Sequence, residues 1–145
     1  MTRMTAALLA ALAAAVPAAA PALAQDAPPA GLMAGPNKTD LPEIVLSVGE
    51  PLGAPWRLRS GGYYEVEITS DGSGEIALAG AGFFRAVWID EIVVEGLEIR
   101  PLGLDSLEFD EAGTMEIGFV AIRPGSYALA VPGGGETQRL DIVIE

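Results

Sequence analysis

The sequence predicts an all-β domain built as a Greek-key β-sandwich, and three observations carry that reading. Apolar residues recur at every second position in a series of short segments. Gly and Pro turns separate those segments, drawn from 18 Gly and 11 Pro in 145 residues. After the first two dozen residues, no stretch shows the period of an amphipathic helix. Seven or eight strands at this spacing are the pattern of a sandwich.

The chain opens with a segment of a different kind. Arg3 gives Met1 to Thr5 a positive end, Ala6 to Val16 is an unbroken apolar run, and Ala22-Leu23-Ala24 supplies small residues. This is the composition of a secretory signal peptide over residues 1–24, too short in its apolar run to span a bilayer. It predicts export, to a bacterial periplasm given the Ala-rich leader, with no membrane insertion once the leader is cleaved. Residues 25–41 hold Pro28, Pro29, Gly31, Gly35 and Pro36 with little periodicity, and read as a flexible lead-in. The domain itself is expected over residues 42–145.

Within the domain, Glu43 to Val48 alternates loosely. Tyr64, Val66 and Ile68 share one face of the next strand, with Glu65 and Glu67 on the other. Asp71-Gly72-Ser73-Gly74 is a turn, Glu75 to Ala79 a strand, and Gly80-Ala81-Gly82 a break. Ala86 to Arg100 is long, apolar and acidic, with Gly96 marking a turn or bulge. Pro101 to Phe109 is less regular. Three strands follow Asp110-Glu111-Ala112-Gly113: Thr114 to Ala121, Ser126 to Val131 after the Pro124-Gly125 turn, and Gln138 to Ile144, where Leu140, Ile142 and Ile144 alternate.

Composition excludes whole classes of chemistry. The chain has no Cys and no His, so disulfides, zinc fingers, haem-His ligation and His-based triads are absent from its repertoire. A formal net charge of −12, from 20 Asp and Glu against 8 Lys and Arg, disfavours nucleic acid and anionic membrane as partners. Export would remove Arg3 and leave the chain one unit more acidic. No second domain or internal repeat is visible.

From Glu111 through Gly113-Thr114, Phe119 and Pro124-Gly125-Ser126-Tyr127, the chain resembles the cupredoxin superfamily. There a Gly-Thr pair enters a strand with a core Phe, and a Pro-Gly-x-Tyr turn feeds the strand leading to the copper loop. The resemblance covers about the last half of the chain and implies a cupredoxin-like sandwich. An immunoglobulin-like sandwich is the structural rival. In copper-carrying members a Cys ligand stands four residues after that Tyr; here that position is Val131, and Pro132 to Gln138 supplies neither His nor Met. The upstream His would fall near Arg85 or Ala86. The resemblance therefore implies the shape with a vacated metal corner, and a type 1 centre is excluded for want of thiolate and imidazole.

Residue types set the remaining candidates. Acidic clusters at Asp90, Glu91, Glu95 and Glu98, and at Asp105, Glu108, Asp110 and Glu111, have the oxygen chemistry of hard-cation ligands. Their spacing fits no calcium loop, since Ile76 stands where the loop opened by Asp71 needs Gly. A metal-ion carrier using carboxylates with Met33 and Met115 is one alternative function. A glycan-active enzyme with paired carboxylates is a second. No Ser has a His base or sits in a nucleophile elbow, so no catalytic residue and no cofactor is assigned. The favoured expectation is a non-catalytic interaction or accessory module for another periplasmic or membrane protein. Its interface is placed at Phe83, Phe84, Arg85 and Trp88, since alternation buries only one Phe of the pair, and at the flexible tip Pro132, Gly133, Gly134 and Gly135. Arg57 and Arg59 are expected to neutralise nearby carboxylates.

Overall fold

A computed structural model describes residues 31–145. The leader and the first part of the lead-in lie outside these residues. Eleven strands form two mixed sheets packed face to face. The first sheet runs β1 (Lys38–Asp40), β4 (Tyr63–Ser70), β9 (Gly113–Ala121), β6 (Val87–Val94), β7 (Leu97–Ile99), with β2 (Ile44–Leu46) also paired to β4. The second runs β3 (Trp56–Leu58), β11 (Arg139–Ile144), β10 (Gly125–Ala130), β5 (Ile76–Ala79), β8 (Ser106–Phe109).

Strand alternation builds the core. Val66, Ile68, Ile117, Phe119, Leu140, Ile142 and Ile144 all turn inward and are buried, as their period of two requires. At the centre, Phe83 stacks edge-on to Phe119 at 5.4 Å between centroids and lies 6.4 Å from Trp56. The space left among these rings is about 10 Å³, about what one water needs and no ligand fits.

The ordered domain begins before Pro42. Lys38–Asp40, assigned to the lead-in by the sequence, runs parallel to Tyr63–Glu65, and β2 continues along the same edge of β4 at Ile68–Ser70. Pro42, which lacks an N–H, sits where the edge is interrupted. Asn37 fixes the start: its Nδ2 donates to the carbonyls of Leu32 (2.7 Å) and Gly61 (2.8 Å), and its Oδ1 accepts from Arg59 Nη2 at 2.6 Å. Arg59 thus serves a buried amide rather than the carboxylate expected of it.

The Ala86 to Arg100 stretch is a hairpin. Glu95 and Gly96 both have positive φ, 50° and 80°, the two-residue turn whose twist matches paired strands. Upstream, the register with β9 slips by one residue: Ile89 faces Phe119, Glu91 faces Gly118, and Asp90 is the extra residue of a bulge. The bulge turns Asp90 and Glu91 both outward, so Ile89 and Ile92 both reach the core.

Candidate interaction surface

The structure corrects the expected interface at its first two residues. Gly80-Ala81-Gly82 does not simply interrupt a strand; Ala81–Phe84 coils into one turn of helix, α1. A helical turn points adjacent side chains about 100° apart rather than 180°. Phe83 and Phe84 therefore both enter the core, 2% and 5% exposed, and neither is available to a partner. A Cβ at Gly80 would press on the Leu129 side chain.

Arg85 caps α1 and pairs with Asp105 at 3.2 Å, both side chains exposed. Trp88, at the start of β6, is 51% exposed. It faces outward because Ile89 faces inward, and it stands opposite Val120 in the register. Exposed Ile122 follows the end of β9, and exposed Leu32 lies against Gly61, whose N–H donates to the Ala121 carbonyl.

Pro132, Gly133, Gly134 and Gly135 form an exposed tip. Gly133 has φ 74°, Gly134 N–H donates to Val131 O, and the tip borders an open groove with Val48, Glu75 and Glu108. The structure does not bring this tip to Arg85 and Trp88. Ala86 O accepts from Ile122 and Arg123, just ahead of β10, whereas Val131 follows its far end. Six residues of strand separate the two, roughly 20 Å at ~3.3 Å per residue.

The acidic clusters are organised as ion pairs and strand faces. Arg100 reaches Asp90 (3.2 Å), Glu91 (3.3 Å) and Glu98 (3.2 Å). Tyr63 Oη donates to Asp90 Oδ2 at 3.3 Å across Gly118. Burial, then the Asp90 charge, raises the Tyr63 pKa above its ordinary 10. Lys38 pairs with Glu65. Glu116, opposite Glu67, has its carboxyl raised by burial first and then by the Glu65 charge. Glu108 is raised by a hydrogen bond with Glu75 and by that neighbour's charge. Among the described residues no three or more carboxylates converge as a metal site, and no helix is long and apolar enough to cross a membrane.

No family model and no curated protein matches the sequence. Solved structures do match the fold. The blue copper oxidase from Nitrosomonas europaea aligns with a TM-score of 0.51 at 13% identity, over 65% of this chain and 31% of that one. The copper nitrite reductase from Nitrosomonas europaea aligns at 0.50 and 11%, over 65% and 33%. The fold is cupredoxin-like. A third such match, the Cu-containing nitrite reductase from Thermus scotoductus, aligns at 0.50 and 15%, over 63% and 22%. The chain thus spans a third or less of the length of each, and these identities carry the fold alone.

Copper, named for all three of these neighbours, is not a fit for this cupredoxin-like chain. The whole sequence lacks Cys and His. At the expected thiolate position, Val131 donates its N–H to Gln138 O, and Gln138 Nε2 donates to Ser47 O at 3.4 Å. An amide and an alkyl chain offer neither the soft sulfur nor the imidazole of a type 1 site.

Sequence reasoning missed one surface. Leu97 (63% exposed) and Ile99 (43%) stand together on one edge strand, β7, and fully exposed Leu102 follows it. The signal was present: Gly96 and Pro101 bracket a three-residue strand, and so short a strand belongs at an edge.

Proposed function

We propose that this protein is an exported, non-catalytic cupredoxin-like module without type 1 copper, serving as an interaction or accessory subunit for another periplasmic or membrane protein. The observation that carries this reading is the exposure of large apolar side chains outside a filled core. Trp88 presents half its surface to solvent, and a half-exposed Trp is the residue type that anchors interfaces. The closed interior supports the same reading, since it leaves the surface as the working part. The carboxylates fit it as well. The 90s cluster is engaged by Arg100 rather than gathered around a cleft, as paired acid and base groups would require.

Native mass spectrometry of the protein recovered from its host's periplasm without chelator tests the reading. A reproducible extra mass equal to another protein is the expected result. A stoichiometric metal mass would overturn it in favour of a carboxylate-based ion carrier. Trp88→Ala is expected to weaken retention of the partner at least tenfold, the usual size of an anchor's loss.

A further inference from the structure

We infer that the free edge of β7 is a docking site for an extended, cationic segment of a partner protein, one whose side chains alternate between apolar and Lys or Arg. The inference deepens the interaction reading above and rests on it.

The edge is defined by the hairpin. Val94 pairs with Leu97, Val93 with Glu98 and Ile92 with Ile99. In a two-residue hairpin the residues flanking the turn exchange hydrogen bonds, and the bonded pairs then alternate. Leu97 and Ile99 therefore spend their backbone groups on β6, and the Glu98 N–H and C=O point away from it. Because β7 is the last strand of its sheet among the described residues, those two groups face no further strand there. The Glu95-Gly96 turn closes one end of the edge, and Pro101, without an N–H, closes the other.

The side chains set what can pair there. One row across the sheet runs Val66, Ile117, Ile92, Ile99. Its first three members are buried and Ile99 is not, so the core face emerges into solvent at the edge. Leu97 continues the neighbouring row from Ile68, Met115 and Val94, where exposure begins at Val94. On the opposite face the row runs Glu67, Glu116, Val93, Glu98. An added strand would extend all three rows. Its residues beside Leu97 and Ile99 would be apolar, and the one between them, beside Glu98, cationic.

Charge favours the same partner. The β6–β7 hairpin and its flank, residues 90–100, carry four carboxylates and one cation, Arg100. Arg100 is shared among Asp90, Glu91 and Glu98, so the outer face keeps an excess of negative charge. A second copy of this chain is the wrong occupant: antiparallel self-pairing centred on the edge would set Glu98 against Glu98, a like-charge pair that disfavours association. Strand addition draws affinity from backbone hydrogen bonds and specificity from alternate side chains. Here the edge offers only one outward residue, so the side chains must supply much of the binding.

The test uses two synthetic peptides of equal composition, Lys-Val-Lys-Val-Lys-Val-Lys and Val-Val-Val-Lys-Lys-Lys-Lys, titrated into the purified protein at low salt while its amide NMR spectrum is followed. The alternating peptide is expected to shift the Leu97 to Ile99 amides and to bind at least tenfold more tightly than the rearranged one. Glu98→Pro removes the outward N–H without taking a bond from β6, and is expected to weaken binding at least tenfold. The double variant Leu97→Glu, Ile99→Glu, at two exposed positions, should do the same by a separate route. Equal binding of the two peptides, or binding unchanged by either variant, overturns the inference. The peptide result and the periplasmic recovery fail separately. A recovered partner still retained by Glu98→Pro overturns the docking edge and leaves the interaction reading standing. Peptide binding with no partner recovered supports the edge and overturns that reading.

Discussion

Gly118 shows how one missing side chain sets local chemistry. A Cβ there would strike the Tyr63 hydroxyl, so glycine gives that ring room to lie across the sheet and donate to Asp90. Gly118→Ala is expected to displace Tyr63 and cost about 1–3 kcal/mol as an overpacked site, measured by urea unfolding with amide NMR of Asp90. Phe119 has the opposite character, a large ring held among others, and Phe119→Ala should cost about 3–5 kcal/mol by opening a cavity. At this scale the sequence is uneven evidence. Phe119 was legible because it alternates with Ile117 and Ala121. Phe83 and Phe84 were not, because the reading rested on strand periodicity where the chain makes a single helical turn, too short for any pattern to register.

Element by element, most strands of six or more residues were legible, and some of three or four were the harder ones. Tyr63–Ser70, Gly113–Ala121 and Arg139–Ile144 each show their period. Lys38–Asp40 and Ser106–Phe109 do not. They hold their places through a partner strand, and that pairing is invisible in a local window. The bulge at Asp90 likewise disguised the long acidic stretch, since one extra residue shifts the alternation halfway along it. The β6–β7 turn carries a testable strain. Glu95 adopts φ 50°, a region that disfavours its Cβ and suits Asn. Glu95→Asn is expected to stabilise the protein by about 0.5–1 kcal/mol, raising the thermal midpoint by a few degrees.

For the whole molecule, fold was legible and site was not, since surfaces come from distant segments. The expected interface named both the Phe83 to Trp88 region and the Pro132–Gly135 tip, and the sequence alone does not show that β10 (Gly125–Ala130) lies between them. The overall charge gives stability a pH dependence with a definite sign. Glu108 and Glu116 hold their carboxyls above the ordinary 4.5, so just above pH 4.5 the folded chain binds more protons than the unfolded one. Stability from these groups therefore rises as pH falls through that window and is lost as pH climbs past their folded values. Asp71, lowered from 3.8 by hydrogen bonds with Ser47 and Ser73, works the other way, losing its contribution only below about pH 4. Thermal midpoints are expected to be higher near pH 5 than at pH 7, and Glu116→Gln should flatten that slope.

The clamp at Asn37 has a wider consequence. It brings the Leu32 carbonyl within one amide of Gly61, while the neighbouring Ser60 N–H donates to the Glu145 carbonyl at 2.7 Å. Both ends of the described chain thus meet at one corner of the sandwich. A short peptide joining them, with the ring reopened among the glycines at 133–135, should give a circular permutant that folds with every strand pairing intact.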